Sequence, residues 1–273
     1  MQTPRSILLH IDSSARSAAR TALARQLAED FDAEVIAQPC MLTSLARYPY
    51  AVDGAAAAVE LLMSLDKEGL DSAHATFLQA AAGSPRLQWA EPLADGPWGF
   101  ARRALYADLM ILGQREEDDP SSAEVPADFL PSVLVESGRP ALILPYAGET
   151  RSVGRTVLVA WKETREAARA VSAALPWLRR AAQVHVVAYG DGIDDSLRAL
   201  ERYLAAQGVS AALHTGGVEE GDMGNALLSR AADLGADLLV MGSYGHSRAR
   251  EWVLGGATRT ILQTMTLPVL MAH

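Results

Sequence analysis

Three glycines at fixed spacing, Gly242, Gly245 and Gly255, followed by Gly256, Ala257 and Thr258, are the residues in this sequence best suited to chemistry. They follow an apolar run, residues 238–241, with the length of a buried strand, and a helical pattern of Ala257, Ile261 and Leu262 starts directly behind them. Glycine lets the backbone adopt conformations and close approaches that a Cβ forbids. Exposed N–H groups at a helix N-terminus, with the positive end of its dipole, favour an anion without requiring a lysine. The chemistry implied is the cradling of a phosphate. Taken alone, the same glycines also describe an ordinary tight connection from strand to helix.

Other chemistry has little support. The six histidines, His10, His74, His185, His214, His246 and His273, show none of the close spacings of zinc sites, so no metal ligands are assigned, and His10 and His185 are expected to be strand residues with satisfied ring nitrogens. There is no G-x-S-x-G elbow and no G-x-x-x-x-G-K-[S/T] loop, and no catalytic residue is named. Met241 and Trp252 read as core residues.

Composition bounds the class. The chain has 273 residues, 49% of them hydrophobic, enough for one large or two small well-filled globular domains. A net charge of −9 and no basic stripe argue against nucleic acid or an anionic membrane as partner. One cysteine, Cys40, cannot form an internal disulfide, which fits a reducing cytoplasm. No apolar stretch reaches the roughly 20 residues needed to span a bilayer, and the run at 7–11 is too short for a signal peptide core.

The elements that must position the glycines can be read in chain order. Residues 7–11 form a β-branched and leucine-rich strand, and Asp12, Ser13 and Ser14 suit the cap of the helix that carries Leu23, Leu27 and Phe31. A second strand is expected at 33–37, a loop through Pro39 and Pro49, a long alanine-rich helix between Gly54 and Ala82, and a third strand at 86–90. Gly96-Pro97-Trp98 opens a helix toward Ala104, residues 108–113 make a fourth strand, 128–137 a helix and 141–144 a fifth strand.

The pattern then repeats. Polar, glycine-bearing residues 147–154 have the composition of a linker, and residues 155–160 mirror 5–10. Residues 106–113 match 235–242 position by position, and 140–144 match 268–272. The first half is the longer one, its surplus falling around the proline loop and the alanine-rich helix. The expectation is an α/β protein of two tandem doubly wound, parallel, five-stranded sheets flanked by helices, one in residues 1–147 and one in 154–273. In such a winding the first strand lies beside the fourth, and ligands enter the crevice at their carboxyl ends. That crevice is lined by Asp12 and Gly113 in the first copy, and by Trp161, Lys162 and the residues from Gly242 onward in the second.

The spacing Gly242-x2-Gly245-x9-Gly255 resembles the G-x2-G-x9-G-[S/T] loop of the universal stress protein family, and the likeness extends over both halves, as in a tandem member with the adenine nucleotide alpha hydrolase-like fold. The resemblance implies a stress-response protein that binds ATP or a related adenine nucleotide, with magnesium, through Ala160, Ala188, Met241, Gly242, Tyr244, Gly245, Gly255, Gly256, Ala257 and Thr258. It implies at most slow ATP hydrolysis and a protein partner that the sequence does not identify. Single-domain members dimerise near the fifth strand, so residues 141–144 and 269–272 are expected to pair within the chain; a homodimer of the whole chain is compatible with this but not indicated.

Departures from the family pattern bear on the site. Gly256 stands where the family carries Ser or Thr, and Thr258 is a candidate to compensate. The first-strand aspartate is absent from the second copy, where Trp161 either stacks on a base or packs against Trp177 or the sheet edge, and Lys162 either meets a phosphate or is solvated. The first copy keeps Asp12 but has no second or third glycine, and the acidic run 116–119 would repel a triphosphate, so no nucleotide is expected there. A scaffold of the same fold without nucleotide is the other reading.

Overall fold

The computed structural model describes residues 3–48, 50, 56–93, 95–148, 152–190, 192–217, 221–244 and 256–273. The chain divides into two compact units, Pro4–Arg139 and Pro140–His273, the latter counted with the first three residues. Each is an α/β layer structure in which strands alternate with helices.

In the first unit, β1 (Ser6–Ile11), β2 (Glu34–Pro39), β3 (Leu87–Trp89) and β4 (Leu109–Gly113) form a parallel sheet in the order β3-β2-β1-β4. Ile7 lies opposite Val35 on one side and Leu109 on the other, which puts the carboxyl ends of β1 and β4 together. The two central strands, β1 and β4, are near-continuous apolar runs, as in sheets covered on both faces, and Ile7, Leu9, Ile11 and Ile111 have no exposed surface. Helix α1 (Arg16–Phe31) buries Leu23, Leu27 and Phe31 at the four-residue spacing of the sequence. The alanine-rich helix is α3 (Ala56–Ala81), which buries only Ala73, Phe77 and Ala81; Phe77 packs on Trp89 of β3, with ring centroids 5.2 Å apart. Helices α4 (Gly96–Ala104) and α5 (Phe129–Ser137) complete the cover.

Two short elements had no sequence signal. Helix α2 (Ser44–Arg47) is fixed by Thr43, whose side chain accepts the Ala46 N–H, and by Asp66 of α3, which accepts from the Ser44 N–H and hydroxyl. A 3-10 helix, Pro120–Glu124, starts where Asp119 accepts the Ser121 N–H. Both depend on distant partners or on single caps, to which periodicity is blind.

The second unit holds β5 (Ala141–Leu144), β6 (Thr156–Ala160), β7 (Gln183–Ala188), β8 (Ala212–Thr215), β9 (Leu238–Gly242) and β10 (Val269–Ala272), in the order β5-β10-β9-β6-β7-β8. All neighbours run parallel except β5, which is antiparallel to β10, with Ile143 opposite Val269 and Leu142 opposite Leu270. Each of these two short apolar strands thus satisfies along one edge backbone groups that would otherwise be open to aggregation. β5 therefore falls in the second compact unit, which leaves four strands in the first. Helices α6 (Arg165–Leu178), α7 (Asp194–Ala206), α8 (Met223–Asp233) and α9 (Ala257–Thr264) flank the sheet. Asp237 serves as a clamp at the amino end, its carboxylate accepting the N–H groups of Gly154, Arg155 and Thr156. No helix among the described residues is long and apolar enough to cross a membrane.

Candidate functional site

The β6–β9 ladder places Ala160 beside Met241 and so brings the end of the first strand of the second unit against the start of the glycine loop. Gly242 is the last residue of β9, and a Cβ there would lie 2.6 Å from the backbone nitrogen of Ala167 and 2.8 Å from the carbonyl carbon of Glu166. Such contacts are too close for any side chain, so glycine at 242 is what allows the first turn of α6 to lie directly on the strand end. Thr164 begins that turn, its side chain accepting the Ala167 N–H at 3.3 Å.

Beyond Gly242 the chain makes a fixed hook. Ser243 donates its N–H to the Ala272 carbonyl at 2.9 Å, and its own carbonyl meets His273 Nδ1 at 3.0 Å. Tyr244 takes a φ of 55°, the left-handed region, which for a residue with a Cβ costs on the order of 1 kcal/mol and must be held by its surroundings. Its N–H donates to Thr258 Oγ1 at 3.3 Å, so the residues on either side of the loop are pinned to each other. Gly245 and Gly255 themselves lie outside the described residues. Helix α9 starts after Gly256, which caps it in extended conformation with no side-chain hydrogen bond. Its first N–H groups have no partner inside the helix and face outward from its positive end.

Of the remaining sequence candidates, Ala188 ends β7, is buried, and accepts the Gly216 N–H through its carbonyl at 2.8 Å. Thr258 is buried, and Met241 is buried in the strand. The Trp161 indole N–H donates to Ser196 Oγ of α7 at 2.8 Å, and Trp177 lies against Gly154. Lys162 is exposed.

Sequence reasoning missed Glu166. It is one of two buried carboxylates among the described residues, 3% exposed, and stands at the crevice in the first turn of α6 with Arg165 Nε donating to it. Burial pushes its pKa up, and hydrogen bonds from Arg165, its own backbone and Thr164 outweigh this, so the carboxyl sits below the usual range. Its signal was the acidic residue two places after a Thr cap, a position that the helix dipole favours. Among the described residues no group of three or more His, Cys, Asp and Glu is gathered as for a metal ion.

The corresponding crevice of the first unit is built differently. Asp12 was expected to help cap α1, but that helix has no side-chain cap; Asp12 Oδ1 instead meets Arg20 Nη2 at 2.7 Å and accepts the Ser14 N–H at 3.0 Å. Arg20, 2% exposed, also reaches the His10 carbonyl at 3.3 Å and fills the space beside Gly113, with Cζ 3.1 Å from where a Cβ would stand. Burial works to raise the Asp12 pKa, and Arg20, followed by His10 and Ser14, pulls it down to about 2. His10 is held neutral, its pKa lowered to about 4 chiefly by burial, and Nε2 lies 3.0 Å from the Cys40 carbonyl between Phe100 and Phe129. Glu116 of the acidic run is 3.8 Å from Arg16, and Ser13 donates to Glu124, which folds the segment after β4 back onto the end of β1. The acidic run is thus partly neutralised, and what fills this crevice is the Arg20–Asp12 pair.

Comparison with known proteins agrees with this architecture. Residues 154–273 match the model of the universal stress protein family. A universal stress protein from Archaeoglobus fulgidus DSM 4304 superposes with a TM-score of 0.74 at 18% identity, covering 99% of this chain and 96% of that one. A functionally unknown protein from Pseudomonas aeruginosa PAO1 superposes with a TM-score of 0.59 at 17% identity, covering 99% and 93%. Identities this low speak for the fold alone. No curated protein matches the chain.

Proposed function

With residues 154–273 belonging to the universal stress protein family, we propose that the second unit binds one adenine nucleotide, ATP or a close relative, at the carboxyl ends of β6 and β9, and that the chain acts in a stress response through the bound state. The observation that carries this reading is the hydrogen bond from the Tyr244 N–H to Thr258 Oγ1, which pins together the two flanks of the glycine loop in front of the uncapped start of α9. A loop so anchored presents the N–H groups of Gly256, Ala257 and Thr258 to an anion. The Thr258 oxygen is an acceptor in that bond, which leaves the hydroxyl proton able to donate to phosphate in place of the hydroxyl that Gly256 lacks. Gly245 and Gly255 serve the same loop, while Ala160, Ala188 and Met241 line the base end beside Gly242. Magnesium would arrive with the phosphates.

Nothing assigns a catalytic step, and the protein is read as a binding module. The alternative, a scaffold that binds no nucleotide, is favoured by Lys162 in place of an aspartate and by Gly256. One titration separates the two. Calorimetry with ATP and magnesium is expected to give one site per chain, absent from Gly245→Val because a branched side chain would enter the phosphate space. No heat of binding from the unmodified chain overturns the nucleotide reading, and two sites per chain would overturn the assignment to the second unit alone.

A further inference from the structure

Two histidines 29 residues apart in the chain meet at the sheet edge of the second unit. The β7–β8 ladder sets His185 opposite Ala212 and Val187 opposite His214, so both imidazoles stand on one face of neighbouring strands. His185 Nδ1 and His214 Nε2 are 3.1 Å apart, with ring centroids separated by 5.3 Å and ring planes inclined by 37°. β8 is the outermost strand, and both side chains are half-buried, so solvent and small ions reach them while the two strands fix their spacing.

We propose that His185 and His214 form a two-histidine site for a divalent transition-metal ion of the zinc or copper type. Metal–imidazole bonds of about 2.0–2.1 Å to two nitrogens 3.1 Å apart enclose an angle of about 95–100°, between the square-planar and tetrahedral values. The ion replaces the hydrogen bond between the two nitrogens: the ring that donates it passes, by proton exchange with water, to the neutral tautomer protonated on its other nitrogen, and a modest rotation of the rings turns both lone pairs toward the ion. No third protein ligand is gathered among the described residues, so water completes the shell. Arg230 of α8 lies within electrostatic reach of His214. The charge of Arg230 opposes a cation and sets the site's affinity below what the ligands alone would give. A metal here would clip the edge strand to β7 just before the Gly216–Ala188 and Gly190–Gly217 hydrogen bonds, 2.8 and 3.1 Å, that shape the β7 corner of the crevice. The proposal is independent of nucleotide binding.

The test is calorimetric titration of Zn2+ into the full, chelator-treated chain near neutral pH. One site is expected, weakened about tenfold or more in His185→Gln and in His214→Gln and tightened in Arg230→Gln. Electron paramagnetic resonance of the Cu2+-loaded unmodified chain is expected to show two imidazole nitrogens on one ion, a readout that stands even if a variant fails to fold. Zn2+ binding as tight in both histidine variants as in the unmodified chain, or a Cu2+ spectrum without two coupled nitrogens, overturns the site.

Discussion

The crevices of the two units start from the same frame and end in opposite states. On the β1–β4 and β6–β9 ladders Leu9 pairs with Ile111 as Val159 pairs with Val240, and equal counts from there put Lys162 where Asp12 stands and Ala170 where Arg20 stands. In the first unit a long cation from α1 crosses the gap to Gly113 and closes on Asp12, both buried. In the second, Ala170 is fully buried and offers nothing to cross with, so the backbone of α6 itself comes down on Gly242. The lesson is that two exchanged positions, Asp12 against Lys162 and Arg20 against Ala170, separate a sheet end filled by a buried ion pair from one covered by helix backbone. The ion pair in the first unit does from inside what an anion and its helix terminus are proposed to do in the second.

The largest expected effect is on that ion pair. Arg20→Ala leaves the Asp12 carboxylate buried beside a neutral His10, and breaking a buried pair from one side costs about 3–5 kcal/mol. Chemical denaturation should show this loss for Arg20→Ala, whereas Lys162→Ala, at the exposed position of the second unit that matches Asp12, should stay within about 1 kcal/mol. Equal losses would mean that the two crevices are not built differently.

Protonation offers a second contrast of nearly the same size. The His10 pKa is lowered from 6.5 to about 4, so the unfolded chain takes up a proton below 6.5 that the folded chain resists until about 4. Stability from this residue is therefore complete above pH 6.5 and drains away as pH falls to about 4, by about 3 kcal/mol. Asp12, lowered from 3.8 to about 2, contributes above 3.8 and is lost only as pH falls through about 2. Unfolding curves between pH 7 and 4 should slope downward for the unmodified chain and flatten in His10→Gln. The second unit has Ala160 where His10 stands and brings no matching loss from that position.

The smallest of the three sharpens the comparison at the glycines. Both Gly113→Ala and Gly242→Ala overpack, at about 1–3 kcal/mol each. The methyl added at position 113 would meet a side chain, and the one added at position 242 a helix backbone. Added to Arg20→Ala, the Gly113→Ala cost should shrink, a coupling visible in a double-mutant cycle, while truncating Glu166 should leave the Gly242→Ala cost unchanged. Additive costs at 113 would mean that Arg20 does not occupy that space.

Much of the fold was legible because it rests on local signals. The apolar runs of β1, β4, β6 and β9, the four-residue spacing in α1, the Gly-Pro start of α4 and the repeat itself are written in periodicity and punctuation, and a parallel α/β winding leaves few topologies for them. The glycine spacing and the resemblance marked the loop, whose inner residues lie outside those described; its flanks are the hook through Ser243 and Tyr244 and the start of α9. Hidden were the features made by residues far apart in sequence. Nothing in the residues around Asp12 announces that it pairs with Arg20 instead of capping a helix, nor that Trp161 turns to Ser196 on α7. His185 read as a strand residue and His214 showed no close metal-ligand spacing, because that spacing is a rule for ligands on one loop or helix, and a sheet brings together residues whose separation depends on the length of the crossover between strands. What the sequence by itself determined was the main strands and helices of the first unit, the repeat and the glycine spacing, all set by backbone conformation and burial along a few residues. What only the tertiary structure decided was which charges meet: whether a crevice is filled by its own arginine, and which histidines share an edge, because Coulomb and hydrogen-bond partners are chosen by distance in space.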